Sequence, residues 1–188
     1  MKYYSGHSKE YIENTKDADM TSLYSLFEKY LNQNSKSIMD LGFGSGRDSL
    51  YFASQGFDVL SVDPTPEFFN YGKSIGLNVV CKKAEDIDYV NEFDGIWACA
   101  SLLHVDSNNL NDVFKRCYKA LRKDGVMYCS FKYGTFEGLR NGRYFVDVNE
   151  NKIKEYISGT GFEIKEIMIT YDVRPERDDK WLNVILAK

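Results

Sequence analysis

Residues 37–52 read SIMDLGFGSGRDSLYF: an apolar strand runs into Asp40-Leu41-Gly42-Phe43-Gly44-Ser45-Gly46 and then into a helical pattern. This junction constrains the fold more than any other stretch. Glycines on alternate positions let the backbone turn sharply and bring its N–H groups against a ligand with no side chain in the way. The dinucleotide fingerprint G-x-G-x-x-G needs its third glycine at position 47, where this chain has Arg47, with Gly46 one place early. A nicotinamide-dependent oxidoreductase is therefore disfavoured.

Around the turn, strands and helices alternate. The spacing of Leu23, Leu26, Phe27, Tyr30 and Leu31 predicts a helix over 20–32. Strands are predicted at 37–41, 58–62, 78–82, 93–100 and 125–132, with helices at 46–55, 66–75 and 109–121 and a loop or short turn over 84–92. Gly56, Gly76 and Gly125 sit where a left-handed residue closes a helix. Such a succession predicts a parallel sheet with helices on both faces. A helix over 149–158 then precedes two strands, 162–173 and 181–188, joined only by residues 174–180. That connection permits an antiparallel pair and excludes a helical crossover.

With Asp40 before it and Asp63 ending the second strand, the G-x-G-x-G turn resembles motif I of the class I S-adenosylmethionine (SAM) methyltransferases. The resemblance spans residue 11 to the C-terminus and implies an α/β fold: a Rossmann-like seven-stranded, mostly parallel sheet with an antiparallel last strand. The length of 188 residues, without visible repeats, suits one domain over 1–188, with a helical segment at 1–34 expected to cover the cleft. SAM would be the cofactor and S-adenosylhomocysteine its product. Asp40 and the glycines Gly42, Gly44 and Gly46 would take the methionine end, flanked by Tyr11, Arg47 and Asp48. Asp63, followed by Pro64, would accept the ribose hydroxyls, although an aspartate there also suits a helix cap. Ala84, Glu85 and Asp86 would border the adenine. The fourth strand opens with Phe93-Asp94, the pair that begins the family's fourth motif; since that motif ends at the reacting centre, the resemblance would place Ala98, Ser101 and His104 beside the cofactor. His104 is the candidate base, since an imidazole titrates near neutral pH, and a solvated loop histidine is the alternative. Asp94 reads as structural, tied to turn backbone.

Acceptor recognition is expected outside these motifs: Tyr3 and Tyr4, the stretch with Lys132, Tyr133, Arg140, Arg143 and Tyr144, and the loop with Arg174, Arg177 and Trp181. The arginines suit a carboxylate or phosphate, unless Glu176, Asp178 and Asp179 neutralise those of the last loop. A small-molecule acceptor leads. A net charge of −4 disfavours nucleic acid without excluding tRNA or other RNA as substrate, and a SAM-binding protein without methyl transfer is a third reading. Cys81, Cys99, Cys117 and Cys129 are widely spaced, and no metal site is expected from them. No signal peptide or membrane-length apolar run is visible, so the expectation is a cytoplasmic monomer or dimer without membrane contact.

Overall fold

The computed structural model describes residues 2–173 and 178–188, the side chains of residues 2–5 excepted. Arg174 and Arg177, and the Tyr3 and Tyr4 side chains, therefore lie outside the described residues. Two helices, α1 (Lys2–Thr15) and α2 (Thr21–Glu28), precede the alternating part. It runs β1 (Ser37–Leu41), α3 (Arg47–Ser54), β2 (Asp58–Val62), α4 (Pro66–Ser74), β3 (Val79–Val80), β4 (Phe93–Ala98), α5 (Ser107–Ala120) and β5 (Leu121–Lys132). A hairpin of β6 (Glu137–Arg140) and β7 (Arg143–Val146) follows, then α6 (Glu150–Ile157), β8 (Glu163–Tyr171) and β9 (Lys180–Ala187).

Seven strands form one sheet in the order β3-β2-β1-β4-β5-β9-β8. The pairs from β3 to β5 are parallel, while β9 runs antiparallel to both β5 and β8. β3, at one edge of the sheet, is only two residues long and pairs with β2 alone among the described residues. The sequence reading also missed the β6–β7 hairpin. Its turn is Asn141-Gly142, both at positive φ (49° and 76°), the pairing a tight hairpin requires.

Side-chain alternation divides the core between the two faces of the sheet. Met39, Ile96, Met127 and Val184 face α5 and α6, where Val113, Phe114, Cys117 and Ile153 recur at helical spacing. Ile38, Trp97, Tyr128 and Ile185 face α2 and α3, meeting Leu23, Phe27 and Phe52. Among the described residues no helix is long and apolar enough to cross a membrane.

A buried carboxylate fastens α2 and α3 to the sheet. Asp48 accepts hydrogen bonds from the Tyr24 hydroxyl (2.5 Å), Trp97 Nε1 (2.9 Å), and Arg47 Nε and Nη2 (2.7 and 2.9 Å). Tyr24 stacks on Tyr51 with centroids 3.8 Å apart, and Trp97 stacks on Tyr128 at 4.0 Å. Tyr24→Phe removes one donor and leaves the ring stack. It is expected to lower stability by about 1–3 kcal/mol, read as an earlier urea midpoint.

Candidate active site

Strand order reverses between β1 and β4, and a crevice opens there beyond the carboxyl ends of the strands. Two cavities occupy it, about 250 Å³ and about 230 Å³, meeting at Tyr11, Gly42, Ala100, His104 and Arg143. Close backbone approach shapes the meeting point. A Cβ on Gly42 (φ +89°) would lie 2.2 Å from Ser101 Cβ, and one on Gly44 (φ +49°) 2.9 Å from the Tyr11 ring. Opposite, Ala100 is held at φ +50° with its N–H donated to Ser130 Oγ at 2.8 Å. No sequence signal announces that strained residue.

The smaller cavity gathers Gly42, Gly44, Asp63, Pro64, Ala84, Glu85 and Ser101 from the ends of four successive strands. Asp63 is 6% exposed; its Oδ2 accepts from the Gly44 N–H at 3.3 Å and its Oδ1 from the Thr65 N–H at 2.8 Å. Burial pushes its carboxyl above the usual range. It thus both braces the loop and keeps acceptor capacity, since a carboxylate offers about four lone-pair sites. A glycine cradle beside a buried carboxylate fits a nucleoside carrying a vicinal diol.

Four expected cofactor residues line neither cavity. Asp40 is 1% exposed and accepts from Ser49 Oγ at 2.6 Å, behind the loop instead of facing a ligand. Burial, then the charge of Asp48, raises its carboxyl. Gly46 (φ +76°) shapes the turn and faces Ile75 and Leu77. Ala98 is wholly buried on the α5 side, because its neighbour Trp97 takes the other face. Asp86 lies outside the lining of both cavities.

The larger cavity brings together Arg47 and Asp48 of α3, Lys132 of β5, Arg143 of β7, and Trp181 of β9. Lys132 Nζ is held by Asp179 at 2.6 Å. Tyr144 lines the smaller cavity instead, and its hydroxyl donates to Glu137. Tyr133 and Arg140 reach neither. The Tyr133 hydroxyl donates to Glu150 (3.1 Å), and Arg140 forks onto Asp147 (2.8 and 2.6 Å) while stacking on Phe136. Asp94 caps turn backbone as expected, accepting from the N–H groups of Lys36 and Ser37.

His104 stands where the cavities meet. Its Nδ1 is 2.7 Å from the Tyr144 carbonyl, which only accepts, so Nδ1 carries the hydrogen and Nε2 the lone pair. Burial lowers its pKa to about 4, with the Tyr144 carbonyl opposing and the Arg143 charge reinforcing the shift. By accessible surface His104 is half-buried, with its Nδ1 held by backbone.

Several lining residues escaped the sequence reading. Glu10 and Asn14 come from α1, whose polar run was read through its tyrosines alone. Tyr128 and Ser130 share a face of β5 with Lys132 by strict alternation, a signal present in the sequence. Asn183, a lone amide within an apolar strand, accepts from the Tyr128 hydroxyl at 2.7 Å.

Residues 38–125 match the family model of a methyltransferase domain. Phosphoethanolamine N-methyltransferase of Plasmodium falciparum (isolate 3D7) is 31% identical over 111 residues, 53% of this chain and 41% of its own length. The chain thus spans about two fifths of that curated relative. Among solved structures, the 1,6-didemethyltoxoflavin-N1-methyltransferase of Burkholderia thailandensis, with bound 1,6-didemethyltoxoflavin and S-adenosylhomocysteine, superposes at TM-score 0.79 and 22% identity. That match covers 99% of this chain and 84% of that one. A SAM-dependent methyltransferase of Methanosarcina mazei gives 0.75 at 18% identity over 88% and 97%, and the cyclase SpnF gives 0.76 at 13% over 100% and 94%. The domain match covers the glycine turn, Asp63 and β4, and the sheet places antiparallel β9 between β5 and β8; in both respects the chain is similar to the class I SAM-dependent methyltransferases.

Proposed function

We propose that this chain transfers the methyl group of SAM to a small-molecule acceptor held in the larger cavity. The observation that carries this reading is the junction itself: the cavity lined by the glycine turn and Asp63 meets a second, aromatic and polar one at His104. The relatives named above for phosphoethanolamine and 1,6-didemethyltoxoflavin lend support. When bound, SAM supplies an electrophilic methyl and a good leaving group. The protein's share is alignment, which can supply ~7–11 kcal/mol of a barrier.

In this reading Asp63 holds the ribose, Ala84 and Glu85 border the base, and Gly42 and Gly44 admit the ligand to the backbone. His104 takes the acceptor's N–H or O–H on Nε2. A nitrogen held at about 4 stays neutral across the physiological range, at the expense of basicity. Recognition of the acceptor falls to Arg143 and Trp181, Lys132 being held by Asp179. Arg140 drops out as a free cation because Asp147 occupies it, which weakens the RNA reading along with the net charge of −4. The four cysteines are unpaired, in keeping with a reducing, cytosolic setting. A second reading, SAM binding without methyl transfer, draws on the fold shared with SpnF, a cyclase.

Incubation with labelled-methyl SAM and fractionated cell extract separates these readings. Label is expected in small molecules; label confined to RNA or protein would redirect the acceptor, and intact SAM binding without labelled product would favour the second reading. Asp63→Asn is expected to weaken S-adenosylhomocysteine binding by about 1–3 kcal/mol in titration calorimetry, and equal affinity would remove its assigned role. His104→Ala should keep that affinity and lower turnover of the acceptor so identified. Because burial depresses the imidazole's pKa, its active neutral form persists as pH falls through 6.5 and is lost only near 4. Wild-type turnover should accordingly show no imidazole ionisation between pH 6 and 7, on the order of one unit around the unperturbed value.

A further inference from the structure

We infer that Glu137 is a positioning residue for His104, fixing through Tyr144 which ring nitrogen carries the hydrogen and which keeps the lone pair. The inference rests on the reading that His104 Nε2 takes the acceptor's proton. A neutral imidazole has one donor and one acceptor nitrogen, and a carbonyl beside Nδ1 leaves the lone pair on Nε2. That arrangement lasts only while the Tyr144 carbonyl stays 2.7 Å from Nδ1. Glu137 closes a ring of contacts around this bond. One of its oxygens, Oε1, accepts from the Tyr144 hydroxyl and, at 2.6 Å, from the Ser107 hydroxyl. Tyr144 belongs to β7, whereas Ser107 opens α5 just beyond the short turn Leu102–His104 that carries the imidazole. A single carboxylate oxygen thus ties the segment that holds the carbonyl to the segment that holds the ring.

The hairpin supplies the reach. Leu139 pairs with Tyr144 and Glu137 with Val146, so Glu137 and Tyr144 are diagonal neighbours on one face, within range of long side chains. Phe145, next along β7, meets the His104 ring edge-on with centroids 4.7 Å apart. It limits the plane of the ring, and the Tyr144 carbonyl selects the nitrogen. The Ser107 N–H also meets the Tyr144 hydroxyl, so that group gives one hydrogen bond and receives one. Bonds from Ser107 and Tyr144 hold the Glu137 carboxyl below its usual range, with Lys152 lowering it further and Asp106 opposing. It is therefore ionised at neutral pH, and a charged acceptor makes the stronger hydrogen bond. Glu137 is exposed and lines neither cavity, so it acts on the site through Tyr144 and Ser107.

Imidazole nitrogen NMR reads the tautomer directly, without an acceptor. The chain has two histidines, His7 and His104, and His104→Ala identifies the signals that belong to His104. The wild type is expected to carry the hydrogen on Nδ1. Glu137→Ala should let the Nε2-protonated form rise to at least about a third of the molecules, and Glu137→Gln to a smaller share, since a neutral acceptor grips the hydroxyls less strongly. Tyr144→Phe should reproduce the alanine result, and the double variant should add nothing, because both substitutions cut one chain of contacts. With the acceptor identified by the labelling experiment, Glu137→Ala should lower kcat at least about threefold and leave KM for SAM within about twofold. A lower melting temperature with an unchanged tautomer marks a purely structural clasp and overturns the role of Glu137, as does a wild type protonated on Nε2. The glutamine variant keeps the shape of the side chain and carries the test should the alanine variant not fold. Turnover unaffected by His104→Ala overturns the proton-acceptor reading instead, while the tautomer shift still decides whether Glu137 positions the ring.

Discussion

One carboxylate holds the working half of the molecule together. Asp48 sits at the start of α3, buried between the sheet and the N-terminal helices, and takes donors from α2, β4 and its own neighbour Arg47. Through Arg47 the chain of contacts extends to the Thr15 carbonyl, at the end of α1. A buried charge is tolerated when several donors saturate it, and removing one member leaves the rest uncompensated. The α1 wall of the larger cavity, the floor of that cavity and the exit of the glycine turn are therefore registered to one point.

The second organising contact is at the switch in strand order. The loop after β1 and the loop after β4 approach so closely that a methyl group at Gly42 would overlap Ser101. Ser101 Oγ donates to the Leu41 carbonyl at 2.6 Å, which closes the gap from the other side. The two cavities meet at this seam, and both are lined by His104 and Ala100. A strained Ala100 at positive φ, braced by Ser130, is the local expense of the turn after β4.

Most of the fold was legible in the sequence because its elements are strongly periodic or sharply punctuated. Five strands and their helices fall within a few residues of the predicted bounds, and the short 174–180 connection foretold the antiparallel β9. β3 is shorter than the predicted 78–82, since only Val79 and Val80 pair with β2. The β6–β7 hairpin was overlooked although Asn141-Gly142 signalled it, because Arg140 and Arg143 had been read as binding groups and not as the flanks of a turn.

The sequence by itself determined the class of ligand cradle: alternating glycines after a strand, then an acid ending the next strand, dictate backbone conformations and a buried carboxylate whatever surrounds them. It did not decide which polar side chains face the ligand. Asp40 and Ala98 turned inward because strand alternation sends neighbouring side chains to opposite faces, and Ser49 and the α5 core claimed theirs. Arg140 and Tyr133 were claimed by Asp147 and Glu150, residues only 7 and 17 positions away. The lowered pKa of His104 and its bond to the Tyr144 carbonyl likewise come from tertiary packing, which brings Tyr144 and Arg143 against it from a segment some 40 residues away. Local backbone chemistry is written in residue order, whereas the partner a charged side chain finds, and hence its freedom to meet a ligand, is fixed only when distant segments pack.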